Sequence, residues 1–257
     1  MSAARVLAVV GWHARAYRKL WRGTSTVSFL NPIFFLLSIG VLLGALVDRR
    51  NPDLGGLSYL EFVAPALLAT TAMQTASSQT TYPILVGVKW LRTYHAVIAT
   101  PVRVVELVAG VLAWAGVRVA VSVTFFAVVA GIGGAFASPL AVAAPLAGLL
   151  CGLAFAGAIG AFTSSLENDQ ALPALFRFGL IPLFLFSGTF FPIERLPDWL
   201  EPVAWATPLW HGVELCRDLA AGRPDALADA GHVAYLVVLG AAGAALTARS
   251  VARRLGA

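Results

Sequence analysis

The chain has 257 residues, 59% of them hydrophobic and only 12% charged, against about 25% charged in a soluble domain. Such a composition leaves too little polar surface to cover a soluble core, which excludes an ordinary cytosolic enzyme, and its apolar content excludes disorder. The formal charge of +5 is no nucleic-acid signature, because it is distributed as a membrane distributes it, and two cysteines make neither a disulfide framework nor a zinc set.

In chain order, residues 1–22 come first. Arg15, Arg18 and Lys19 interrupt any apolar core, so this is not a signal peptide. Val6, Val10, Tyr17 and Trp21 recur at helical spacing with the basic residues mostly opposite. That pattern predicts an N-terminal interfacial helix on the anionic inner leaflet, with a solvated basic tail as the bland alternative. The spans follow, each needing roughly 20 apolar residues. Uncharged stretches predict helices near 27–47 and 62–82. The long apolar run from Leu107 to Leu166 is cut by Gly131, Gly133, Gly134 and Pro139 into 107–131 and 140–165. Further spans fall near 171–191 and 230–248. The expected fold class is an all-α polytopic membrane protein, a single membrane domain over 1–257 with six transmembrane helices.

Charge fixes the orientation. With the N-terminus cytoplasmic, the inner segments hold eleven Lys and Arg residues and the outer ones five, Arg49, Arg50, Arg195, Arg217 and Arg223. Ten of the 13 acids also fall outside, including Asp48, Asp53 and Glu61, whereas Glu167 and Asp169 lie inside as a small misfit. The expected place is the plasma or inner membrane, multi-pass, with both termini cytoplasmic.

Between the second and third spans, Lys89, Arg92 and Arg103 stand among Trp90, Leu91, Tyr94, Val97 and Ile98, ending at Thr100-Pro101. This mix predicts a surface helix over 83–103, a docking element rather than a plain linker. Its aromatic residues, Tyr94 among them, are expected to fill a groove on a partner. The segment 192–229 carries Trp199, Trp205, Trp210 and seven acids from Glu194 to Asp229. It is therefore read as an outer helical loop, with an outer-surface helix over 208–221 started by Thr207-Pro208 and stopped by Gly222. Its tryptophans either anchor the interface or line an exit.

Two charges fall inside spans. Arg118 lies about 17 Å into the third span, near mid-membrane, where a charge faces a partner or a polar pathway. Arg177 either snorkels to the interface or pairs with Glu167 or Asp169. Gln74 sits in an unusually polar half of the second span, from Thr70 to Thr81. Catalytic constellations are poor. His211, Glu214 and His232 offer an intramembrane metal-dependent enzyme as an alternative, and Glu106 an ion-coupled transporter. There is no G-x-x-x-x-G-K-[ST] loop, so the chain cannot hydrolyse ATP itself, and no G-x-S-x-G elbow.

Arg92-Thr-Tyr-His-Ala-Val-Ile-Ala-Thr-Pro-Val102, running on to Trp114 and Arg118, resembles the membrane subunit of type-two ABC exporters, particularly the nodulation-factor and daunorubicin exporter permeases. So do Ser187-Gly-Thr-Phe-Phe-Pro-Ile-Glu-Arg-Leu-Pro197, with Phe191 and Pro192 at its centre, Pro208-Leu-Trp-His211 and Glu214-Leu-Cys-Arg217. The likeness covers the whole chain, with one departure: His95 stands where the motif has an acid. It implies a half-transporter that exports a lipid, lipid-linked glycan or amphipathic drug. It also implies outer re-entrant helices before the last span, and a second permease copy, identical or related. The partner is a cytoplasmic ABC ATPase subunit that holds ATP and Mg, while this chain binds no cofactor or metal, no nucleic acid, and only membrane lipids around it. The coupling residues are then Lys89, Trp90, Arg92, Tyr94, His95, Pro101 and Arg103. The pathway residues are Gln74, Arg118 and Arg177.

Overall fold

The computed structural model describes residues 1–38, 44 and 56–256, with side chains for all of these except 20–33 and 35. Among the described residues every regular element is helical and there is no strand. Asp48, Arg49, Arg50, Asp53 and all of 39–47 but Gly44 lie outside the described residues.

The first helix, α1, runs unbroken over Ala3–Phe35. It lies alongside α5 (Val104–Ile132), and the contacts advance in one parallel register. Ser2 bonds Glu106, Val9 fills the space left by Gly110, and His13 stacks on Trp114 with ring centroids 6.2 Å apart. Arg118 then lies over the Tyr17 ring at 4.0 Å. This corrects the expectation of an interfacial helix over 1–22 followed by a separate span from 27. Gly23 alone costs a helix only about 1 kcal/mol and cannot break it. Tyr17, on the face expected to meet lipid headgroups, meets α5 instead.

Helix α2 (Tyr59–Thr80) starts in a capping box: Ser58 N–H donates to Glu61 Oε2 at 2.8 Å, and Glu61 N–H donates to Ser58 Oγ at 3.3 Å. A short α3 (Tyr82–Leu85) widens into a π turn over Val86–Trp90. Arg92 then reverses the chain at φ 50 and α4 (Thr93–Ile98) follows. α5 ends at Gly133 and Gly134, the latter at φ 73, and a 3₁₀ turn over Pro139–Ala143 leads into α6 (Ala144–Ser165). Those breaks lie where the glycine–proline cluster put them.

The fifth stretch is helical only to residue 186, short of the expected 191. It comprises α7 (Ala171–Ala174), a π turn Leu175–Leu180 and α8 (Ile181–Phe186), with Pro173 and Pro182, which donate no backbone hydrogen bond, on either side of the π turn. A 3₁₀ turn at Ile193–Arg195 and α9 (Glu201–Trp205) precede α10 (Pro208–Ala221). α10 is capped by Thr207 and closed by Gly222 at φ 70. Finally α11 covers Ala226–Leu255, started by Asp225, whose side chain accepts from Leu227 and Ala228 N–H.

Among the described residues three helices are long and apolar enough to cross a membrane: Val104–Ile132, Pro139–Ser165 and Ala226–Leu255. α2 is more polar, and Ala171–Phe186 is apolar but short. Among the described residues, six helical stretches (α1, α2, α5, α6, 171–186 and α11) run between two ends of the bundle. One end gathers Arg5, Lys89, Arg92, Arg103, Arg253 and Arg254. The other gathers Glu61, Glu194, Glu214, Asp218 and Asp229. These are called the basic and the acidic end below.

α6 and α11 meet backbone to backbone. A Cβ on Gly243 would stand 2.3 Å from the carbonyl carbon of Gly157, so the two backbones touch where any side chain would overlap. α10 departs from its expected place on an outer surface. Leu209, Gly212, Val213 and Cys216 are buried, because α10 inserts among α2, α6 and α11 with Gly212 against Cys151. Its polar side alone remains for the charges.

Candidate functional site

At the basic end Glu106 is the organising group. Its side chain is fully buried and accepts from Ser2 N–H at 2.7 Å, Arg103 N–H at 3.0 Å, Arg103 Nη2 at 3.1 Å and Arg5 Nη1 at 3.4 Å. One carboxylate thus ties the start of α1, the end of the 83–103 segment and the first turn of α5 together. The sequence signal was an Arg-x-x-Glu at a helix start, a capping pattern there read only as a proton-carrier candidate.

The 83–103 residues divide sharply. Tyr94 is only 2% exposed, its ring lying under Gly87, where a Cβ would come within 2.3 Å of it. It packs with Val9, Ile84, Val88, Leu107 and Val251, which corrects the expectation that Tyr94 fills a groove on a partner. Trp90 and Leu91 are the outward apolar residues, at 54% and 70% exposure. Lys89, Arg92, His95 and Pro101 are exposed beside them, and Arg103 is engaged with Glu106. An apolar groove of about 330 Å³ runs between α1 and α4, past Val9, Trp12, Ala96, Val97 and Thr100.

Along α2, Gln74 and Ser78 are exposed, with Thr71 and Thr75 half-buried on the same side. The spacing i, i+3, i+4, i+7 makes one helical stripe. Thr71 Oγ1 donates to Leu67 O at 2.8 Å and Ser78 Oγ to Thr75 O at 2.8 Å, so these hydroxyls satisfy themselves on their own helix. Arg118 is buried, its Nε without a hydrogen-bond partner and its guanidinium on Tyr17. Arg177 is exposed, and among the described residues it forms no ion pair with Glu167 or Asp169.

At the acidic end Arg217 crosses the fold. It donates to Glu214 Oε1 at 2.5 Å and to Gly188 O at 2.7 Å, and it lies over Phe62 at 4.1 Å. It thereby clamps the 187–192 turn, with Phe191 and Pro192, onto α10 and α2. Ser187 and Thr207 hydroxyls meet at 2.9 Å across the same turn. His211 Nδ1 and His232 Nδ1 are 2.6 Å apart, Tyr235 stacks on His211, and Trp210 meets both imidazoles edge-on. Glu214 points into the Arg217 pair instead, so His211, Glu214 and His232 do not converge. Among the described residues no three His, Cys, Asp or Glu side chains are grouped to hold a metal. Trp199 and Trp205 are exposed at 73% and 48%, while Trp210 is half-buried.

The model of the ABC-2 type transporter family matches residues 12–220. The chain belongs to that family. It is 30% identical over 227 residues to Nodulation protein J of Rhizobium leguminosarum bv. trifolii, covering 85% of this chain and 84% of the relative. Nodulation protein J of Rhizobium meliloti is 29% identical, over 79% and 78% of the two chains. The inner membrane transport permease YadH of Escherichia coli is 24% identical, over 75% and 73%. As an ABC-2 permease the chain is the membrane subunit of a transporter, and its apolar helices place it in a membrane.

For this permease the acidic end carries two titrations of opposite sign. Burial, then the charges of Glu214 and Asp229, push Asp218 up to about 7. A carboxyl raised in this way contributes stability that is complete below the unfolded value and lost as pH rises towards 7. Burial and the adjacent His232 lower His211 to about 4, so its contribution is complete above 6.5 and lost as pH falls towards 4. Asp229→Asn removes the like charge facing Asp218. After allowance for solvent screening of a half-exposed pair, it is expected to stabilise by about 1 kcal/mol at pH 8. A thermal melt in detergent should then show a Tm about 2–4 °C higher at pH 8 and unchanged at pH 5. A gain of the same size at both pH values would show that charge repulsion is not the cause.

Proposed function

We propose that this permease is one membrane half of an ATP-driven exporter, which pairs with a second permease copy and docks a separate cytoplasmic ATPase at its basic end. The observation that carries the reading is the stripe Thr71, Gln74, Thr75 and Ser78. The hydroxyls bond their own helix, but the exposed Gln74 amide within an apolar bundle is costly against lipid. It is accommodated if the stripe faces a second copy and a polar path between the two.

The six stretches between the two ends serve as the spans, with α9 and α10 as helices re-entering from outside. Both termini then lie on the cytoplasmic side, as the positive-inside bias favours. The substrate class is an amphiphile: a lipid, a lipid-linked glycan or an amphipathic drug. The ATPase, with its ATP and Mg, meets the face formed by Lys89, Trp90, Leu91, Arg92, His95 and Pro101. Arg118 and Arg177 are the remaining pathway candidates. Trp199 and Trp205 anchor the outer interface, and Trp210 holds the His211–His232 joint.

The test is cross-linking at Gln74. With Cys151 and Cys216 replaced by Ala, Gln74→Cys is expected to join two permeases in membranes, while Val238→Cys, on the exposed side of α11, is not. A Gln74 position that forms no dimer and is quenched by a lipid-phase nitroxide would overturn the reading. Docking is checked separately. Trp90→Ala with Leu91→Ala is expected to insert normally yet lose about 2 kcal/mol or more of ATPase affinity, as a central hot spot does. Pull-down of the ATPase at wild-type strength would remove this face from the interface.

A further inference from the structure

A second cavity at the basic end is of different character from the apolar groove. It measures about 370 Å³ and is lined by Val88, Lys89, Arg92, His95 and Arg254. Three permanent cations and an imidazole thus face one small space, and no carboxylate lines it. Two of the cations are pinned there: Lys89 Nζ donates to Glu167 O at 2.5 Å, and Arg254 Nη2 to Ser165 O at 2.5 Å. These carbonyls fix the positions of the charges without neutralising them. The third cation, Arg92, is the one non-glycine residue with positive φ among the described residues, at 50°. A left-handed arginine in a chain reversal is strain that persists at functional sites. Crowded cations of this kind are completed by an anion with several acceptor oxygens, for which guanidinium groups are suited.

The surroundings favour a lipid source over a dissolved one. Arg254 ends the apolar helix α11, a membrane-span candidate. Basic pockets between helices on the cytoplasmic side bind anionic headgroups. We propose that this pocket binds the phosphate of an anionic phospholipid of the inner leaflet. The proposal rests on the reading that the basic end faces the cytoplasm. The lipid would brace the 83–103 segment against the end of α11, so that the docking face is set by the membrane as well as by protein contacts.

The experiment uses the full-length permease in detergent, without ATPase or transport, so its failure leaves the exporter reading standing. Native mass spectrometry and thermal melts are run with phosphatidylglycerol, with phosphatidylcholine, and with inorganic phosphate alone. The expected result is retention of phosphatidylglycerol and a raised Tm with that lipid only, weakened by salt. Arg92→Gln with Arg254→Gln is expected to weaken retention roughly thirtyfold, whereas Arg249→Gln with Arg253→Gln, equal in charge but off the pocket, is not. Lys89→Gln with His95→Gln, which leaves the Arg92 reversal intact, is expected to weaken it as well. Should inorganic phosphate at millimolar concentration reproduce the full effect, the site takes a soluble anion and the lipid assignment falls. Wild-type retention by both pocket variants overturns the site altogether.

Discussion

Gly243→Ala is expected to destabilise the permease by about 3 kcal/mol or more, and Gly243→Leu to prevent assembly of α11. The added Cβ would lie 2.3 Å from the carbonyl carbon of Gly157 and 2.5 Å from the amide nitrogen of Ala158, both backbone atoms that no rotamer change can move. On the facing side a Cβ on Gly157 would come 2.5 Å from Gly240 O. The helices must separate, and within a membrane close dispersion contact is most of what holds them, because lipid tails satisfy apolar side chains equally well. Along the middle of α11 the other contacts are few, its hydrogen bonds to neighbouring elements lying mostly towards its two ends, at His232, Tyr235, Ser250 and Arg254. Only Leu236, Gly243, Thr247 and Val251 are fully buried along its length, and Thr247 Oγ1 reaches Gly157 O at 3.3 Å across the same seam. Gly231→Ala is the control, since a Cβ there meets nothing within 4 Å. The control is expected to be neutral or slightly stabilising through helix propensity. Equal melting temperatures for Gly243→Ala and Gly231→Ala would show that the seam is not a structural contact.

That seam also marks where sequence reading stops. The break between α5 and α6 could be read because Gly131, Gly133, Gly134 and Pro139 act on their own backbone. The limits of α10 could be read because Thr207, Pro208 and Gly222 are caps, equally local. Long-range features leave no such trace. Gly157 and Gly243 look like any two glycines of a glycine-rich chain until their helices cross. Tyr94 and Trp90 are both aromatic residues in a basic loop, yet one is buried beneath Gly87 and the other exposed, which only the π turn decides. The aromatic face of α1 was visible as a period, but a period does not say whether headgroups or another helix will cover it. His211 and His232 lie 21 residues apart, and their 2.6 Å meeting depends on α10 inserting into the bundle rather than lying on it.

Glu106→Ala is expected to uncouple α1 from the 83–103 segment, with consequences for both fold and transport. The carboxylate is fully buried and accepts from two backbone amides and two guanidinium groups on two separate pieces of chain. Its removal leaves Arg5 and Arg103 facing each other without a counter-charge, and the Ser2 and Arg103 amides without an acceptor. An unsatisfied buried donor costs more than the lost bond itself. Amide exchange over 2–9 is therefore expected to accelerate roughly a hundredfold, together with ready tryptic cleavage at Arg5. Glu106→Gln separates charge from shape. It keeps an acceptor oxygen for the amides but cannot balance two arginines, so exchange over 2–9 should fall between wild type and Glu106→Ala. Because the same carboxylate fixes the end of the segment proposed to dock the ATPase, ATP-driven transport is expected to fall in the same order: wild type, Glu106→Gln, Glu106→Ala. The alternative, Glu106 as a proton carrier, makes a different forecast. Transport would then depend on a proton gradient, and Glu106→Gln would abolish it while leaving exchange over 2–9 at the wild-type rate. Measuring exchange and transport on the same two variants decides between a structural clasp and a titrating carrier.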